Sequence, residues 1–106
     1  MKLLSRAEEI ILLAVFCLKE NAYGIPIREF IREKTRTEWS LAQIYEPLNK
    51  LREKGYVLKY KDQPTPERGG RHKFLYRITK KGKTALLEIR TVHDRVWESV
   101  PKKSLS

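Results

Sequence analysis

The feature that most constrains this chain is the change of apolar period at Gly55. Before it, apolar residues recur at the three-to-four spacing of helices that bury one face. After it, they alternate one by one, as on a half-buried strand. A small domain with that switch is mainly α-helical with a β-hairpin appended.

Ser5-Arg6-Ala7-Glu8 reads as a capping box, the serine accepting from the first turn and the glutamate reaching back. The helix it opens is expected to reach about Lys19. It is apolar nearly all round from Ile10 to Leu18, which predicts burial on most sides, by its own domain or by a second subunit. A second helix is expected from near Ile25, with Pro26 tolerated in the first turn and Ile27, Phe30 and Ile31 facing inward. Ser40-Leu41-Ala42-Gln43 is a second capping box. In the helix it starts, Leu41, Ile44, Leu48 and Leu51 share the buried face, and Gly55 is a natural stop. Ala42, Gln43, Tyr45, Glu46, Asn49 and Lys50 are left on the outer surface, and Pro47 is expected to kink the helix.

Beyond Gly55, Tyr56, Leu58 and Tyr60 alternate with Val57, Lys59 and Lys61, and Phe74, Tyr76 and Ile78 alternate with Lys73, Leu75 and Arg77. Turn formers fill Gln63 to Arg71, so the two runs form a hairpin with a long, basic, glycine-tipped loop. Tyr56, Phe74 and Tyr76 are expected in the core. Thr79 caps a last helix to about Val100, in which Leu86, Ile89, His93, Val96 and Val100 follow a heptad seam suited to pairing with a second helix. The tail from Pro101 to Ser106 is expected to be disordered. Residues 1–79 thus read as a winged helix-turn-helix and 80–106 as a dimerisation helix with a short tail.

The charge is uneven. The chain carries +10 in all, but residues 1–55 contribute +2 and residues 56–106 contribute +8. Seven basic residues and no acidic one lie between Arg68 and Lys83. A one-sided run in a hairpin favours a polyanionic partner. The single cysteine, Cys17, has no intramolecular partner and fits a reducing compartment. The run from Ile10 to Leu18 is too short to span a membrane, and Glu8 and Glu9 stand where a signal peptide needs positive charge. A cytoplasmic protein without a membrane role is expected.

The chemistry of this arrangement is nucleic-acid recognition. A major groove admits one helix, and a basic hairpin can neutralise phosphates beside it. Gln43 and Asn49 carry amides able to pair with adenine, Lys50 reaches guanine or phosphate, and Tyr45 offers a hydroxyl to a phosphate. Ser40 and Ala42 complete the exposed face. In the loop, Gly69 and Gly70 permit close backbone approach while Arg68, Arg71 and Lys73 supply charge. No paired carboxylates, phosphate loop or metal-ligand spacing occurs, and Cys17, His72 and His93 sit on separate elements, Cys17 in a helix expected to be buried. Neither an enzyme nor a metal or organic cofactor is therefore expected. A winged-helix RNA-binding module and a protein-interaction adaptor are the competing readings. Against the first, single-stranded RNA recognition wants exposed aromatics; against the second stands the basic loop.

Several segments are specific in combination: Ala22-Tyr23-Gly24, Ser40 to Tyr45, Leu48 to Val57, Glu67-Arg68-Gly69-Gly70-Arg71 and Tyr76 to Gly82. In this order and spacing, over roughly Leu4 to Gly82, the chain resembles the PadR family of transcriptional regulators, in its small-subunit branch. The resemblance implies a homodimer held by the last helix, repression by operator occupancy on double-stranded DNA, and Tyr45 with the Arg-Gly-Gly-Arg loop at the DNA. It departs at one point: family members more often carry proline directly after this tyrosine, whereas here Glu46 intervenes before Pro47. The drug-responsive members of that branch stack a planar ligand on a tryptophan of the last helix. Ungapped counting from Thr79 puts His93 there, with Trp97 one turn later. Leu86, Ile89, His93, Val96 and Trp97 are therefore candidates for a small aromatic or hydrophobic effector or for the dimer interface, and packing of the interface is the preferred reading.

Overall fold

The computed structural model describes residues 3–62 and 73–105. Its elements are helix α1 (Arg6–Leu18), a 3-10 turn (Lys19–Asn21), α2 (Gly24–Thr35), α3 (Leu41–Glu53), strands β1 (Val57–Lys61) and β2 (Phe74–Ile78), α4 (Lys80–Glu98) and a closing 3-10 turn (Lys102–Leu105). The architecture is mainly α with one two-stranded antiparallel hairpin, as the change of period at Gly55 predicts. The tail expected to be disordered holds that closing turn instead.

Both predicted capping boxes form. The Ser5 Oγ accepts from the Glu8 amide at 3.1 Å and Glu8 Oε1 accepts from the Ser5 amide at 2.9 Å. Ser40 and Gln43 repeat the pattern at the start of α3, at 3.2 and 2.8 Å. Each reciprocal pair satisfies two backbone donors that a helix start leaves open. Gly55, at φ 80°, turns the chain out of α3 into β1. α3 continues through Pro47 to Glu53, so the proline does not end the helix.

The core is built where three helices and the hairpin meet. Ile11, Leu12 and Val15 of α1, Ile27 and Ile31 of α2, and Ile44, Leu48 and Leu51 of α3 are almost completely buried. Burial of such side chains stabilises by about 1.5–3 kcal/mol each. Val57, Tyr76, Leu86 and Ile89 close the same cluster, so α4 begins on the body of the domain. Gly82 permits this approach, because a Cβ there would overlap the Tyr56 carbonyl and lie 2.8 Å from Ile78 Cγ1.

The hairpin register pairs Val57 with Ile78 and Lys61 with Phe74, and Tyr76 also donates its amide to the Ala22 carbonyl at 2.9 Å. This docking corrects the expected strand faces. Val57 is the buried residue of β1 and Leu58 is half exposed, because the face shared with Tyr76 and Ile78 turns toward the helices. Phe74 is not core. It stands near the far end of the hairpin, 46% exposed, with the ammonium groups of Lys59 and Lys61 at 4.5 and 5.9 Å from its ring centre. Leu41 also leaves the expected buried stripe, because it is the first residue of α3 and projects beyond the packed turns.

One polar interaction is buried with the core. Glu8 is 5% exposed and accepts from Lys54 Nζ at 2.6 Å, joining the start of α1 to the end of α3. Burial pushes its carboxyl up, but the Lys54 ammonium and the Ser5 amide pull harder, and it sits below the ordinary carboxylate range.

Candidate nucleic-acid interface

α3 is positioned by the three residues that anchor its inner face, Ile44, Leu48 and Leu51. Ser40, Ala42, Gln43, Tyr45, Glu46, Asn49 and Lys50 are all exposed. A helix with one face fixed by packing and the opposite face open is what groove entry requires. The open face is not uniform. Ser40 and Gln43 spend their cap groups on one another, so the Gln43 amide oxygen is engaged and its NH2 group remains. Asn49 and Lys50 carry free polar ends about two turns further on.

Tyr45 is held against α2. Its ring packs on Gly24, where a Cβ would meet the hydroxyl and lie 3.0 Å from Cζ. Glycine is therefore the residue that lets the tyrosine lie across the start of α2 with 38% of its surface still open. Tyr76 lies buried close by. Burial pushes its hydroxyl pKa up, nearby Tyr45 adds to that, and Arg52 opposes it.

The hairpin stem brings cations onto aromatic rings. Besides the pair on Phe74, Lys73 Nζ lies 4.2 Å from the Tyr23 ring centre and Arg77 lies 5.6 Å from that of Tyr60. Such contacts hold long side chains in defined positions. Lys73 is the loop residue of the predicted set that can be placed, at the foot of β2. Arg68, Gly69, Gly70 and Arg71, with His72, lie outside the described residues. Lys59, Lys61 and Tyr23 are not among the site residues expected from the sequence, and Phe74 is expected there in the core. The exposed Phe74 was concealed by alternation, which gives strand faces but not how far a hairpin projects.

The second candidate region is an apolar groove between α1 and α4. Leu13, Phe16, Leu86 and Leu87 line it with Glu9, Lys83, Arg90 and His93, enclosing about 520 Å³. α1 is thus open along one side within a single chain, with Leu13 and Phe16 exposed, and Cys17 is exposed as well. Of the predicted seam, Leu86 and Ile89 are buried by the chain's own core. His93 Nε2 stands 3.6 Å from Glu9 Oε1, and Val96 and Trp97 are 62% and 61% exposed. The structure therefore brings Leu86 and His93 to the groove but leaves Trp97 beyond it, toward the end of α4. Among the described residues no helix is long and apolar enough to cross a membrane.

Helices α1 to α3, the hairpin and the helix that follows it define a winged helix-turn-helix. The sequence pattern of the transcriptional regulator PadR-like family matches residues 12–88. The chain belongs to the PadR-like family of transcriptional regulators, a family of regulators and not of enzymes. Solved structures share its fold. A PadR family transcription regulator from Clostridium difficile R20291 is 24% identical with a TM-score of 0.73, over 96% of this chain and 100% of its own. A PadR-like transcription factor from Bacteroides fragilis is 23% identical with a TM-score of 0.73, over 87% and 84%. A transcriptional regulator from Clostridium thermocellum is 24% identical with a TM-score of 0.62, over 90% of each chain. A comparison with curated proteins gave no match.

Proposed function

We propose that this protein is a homodimeric, sequence-specific repressor that occupies a two-fold symmetric operator in double-stranded DNA. The observation that carries the reading is the open face of α3, fixed from behind by Ile44, Leu48 and Leu51, beside a strongly basic hairpin. In this reading α3 enters the major groove with Ala42, Gln43, Asn49 and Lys50 at base edges. Ser40 and Tyr45 stand at the groove edge, toward the backbone. Lys73 and the loop residues Arg68, Gly69, Gly70 and Arg71 follow the neighbouring phosphates. Residues 1–79 read DNA and residues 80–106 pair the subunits, in the reducing cytoplasm where Cys17 remains a thiol.

The dimer reading rests on the groove between α1 and α4 and on the bare end of α4. Leu13, Phe16, Leu87, Val96 and Trp97 are all exposed in the single chain, apolar surface that pairing with a second copy can bury. A second copy of the chain covers them, with His93, Val96 and Trp97 in the seam. A small aromatic or hydrophobic effector that enters this seam beside Trp97 would act by shifting how the two α3 helices are spaced.

Competition binding tests the reading. Labelled genomic duplex fragments are bound at moderate salt and challenged with unlabelled duplex or with structured RNA of equal length. Duplex DNA is expected to compete at far lower concentration. Equal competition by RNA would replace the operator reading with a general nucleic-acid binder, and failure to bind either would leave the adaptor reading.

A further inference from the structure

We infer that Glu46 is a specificity-determining residue of α3, its carboxylate accepting a hydrogen bond from the N4 amino group of a cytosine. The inference rests on α3 being the groove helix. Glu46 lies one turn after Ala42 and one turn before Asn49 and Lys50, on the face opposite Ile44, Leu48 and Leu51. It is exposed and, among the described residues, takes part in no ion pair or hydrogen bond, although Lys50 stands four residues on, at a favourable pairing distance along the helix.

An unpaired carboxylate at the middle of this face is a liability for a DNA binder of charge +10. Against phosphate it only repels. It becomes productive against a base edge that offers a donor and no acceptor at the same place. In the major groove the cytosine N4 amino group meets that condition. Guanine presents O6 and N7, and thymine presents O4, so both set acceptor against acceptor. Adenine offers N6 beside the N7 acceptor, an edge better matched by an amide such as Asn49, which donates and accepts together. The charge thus trades general affinity for discrimination, an attractive contact with one base and a repulsive one with two others.

The test is selection of bound duplexes from a random pool with the wild type, Glu46→Gln and Glu46→Ala. Affinities for the selected site, its single-base variants and a random duplex then follow at one salt concentration. The wild type is expected to favour cytosine at one position of each half-site by about tenfold. Glu46→Ala loses that preference there and keeps it elsewhere, while Glu46→Gln moves it toward adenine. Both variants bind the random duplex more tightly than the wild type, by about threefold, because a repelling charge is gone. A merely structural role for Glu46 would not raise random-duplex affinity while erasing preference at one position. Base preferences unchanged at every position in both variants would overturn the inference alone. Absence of duplex binding by the wild type would overturn the groove reading and this inference with it.

Discussion

Replacing Lys54 by methionine isolates the buried ion pair from everything else in the fold. Methionine keeps the length and the apolar stem of lysine and removes only the ammonium group that Glu8 accepts from at 2.6 Å. Glu8 then stays almost fully buried as a carboxylate, with Ser5 still donating to it from its amide. Breaking a fully buried pair on one side costs about 3–5 kcal/mol. The Lys54 side chain is 31% exposed and the Ser5 bond survives, which brings the expected loss to about 2–3 kcal/mol. In a domain of this size that lowers Tm by roughly 10–20 °C. The pH dependence gives the sign. The Glu8 carboxyl is depressed in the folded state, so its contribution is full above the unfolded carboxylate value and is lost as pH falls through the folded one. In Lys54→Met the charge is a burden that protonation relieves, so the gap to wild type should narrow from neutral pH to about pH 3. Urea melts at fixed protein concentration measure it, and Glu8→Gln in the Lys54→Met background should recover most of the loss, since glutamine keeps the cap without the charge. A gap that is the same at both pH values, or below about 0.5 kcal/mol at neutral pH, would refute the reasoning.

Gly82→Ala should destabilise by about 1–3 kcal/mol in thermal melts, because the new methyl overlaps the Tyr56 carbonyl, a backbone atom that cannot step aside. Val96→Asp should raise the dimer dissociation constant by at least about tenfold in sedimentation experiments while leaving the monomer fold intact, since Val96 is exposed in the single chain. Arg71→Ala should weaken binding to every DNA sequence and reduce the salt slope by about one, whereas Asn49→Ala should change preference among sequences and leave that slope alone. Equal effects of both on every sequence would contradict the division between phosphate and base contacts.

The starts of α1 and α3 were legible because caps are local chemistry: four residues decide whether Ser5 and Glu8, or Ser40 and Gln43, close a box, whereas α2 begins after Tyr23 with no side-chain cap to announce it. The inner faces of α2 and α3 were legible for the same reason, through spacing alone. What the sequence could not carry was set by distance along the chain. Glu8 and Lys54 are 46 residues apart, and nothing in either segment announces that the cap glutamate also takes a lysine. The faces of β1 were misread because Val57 is drawn inward by the docking of β2 on Ala22, not by its own neighbours. The helical stripe extended one residue too far at Leu41, where periodicity continues but packing has not yet begun. α1 was expected to be buried on most sides, and its open flank at Leu13 and Phe16 shows why: the apolar pattern counts surface that this chain alone does not cover. For the candidate interface, spacing selected the open face of α3, and it reached Glu46 only as surface, because charge alone gave no reason to place an acid against DNA.

The most direct test of the central claim is a genome-wide pull-down of duplex fragments with the purified protein at moderate salt, followed by sequencing of what is retained. The account predicts an enriched motif with two-fold symmetry, its half-sites about one helical turn apart, as two α3 helices of a dimer would read it. Retention of fragments without a shared motif would contradict it, and would leave the basic hairpin as a general anchor for nucleic acid.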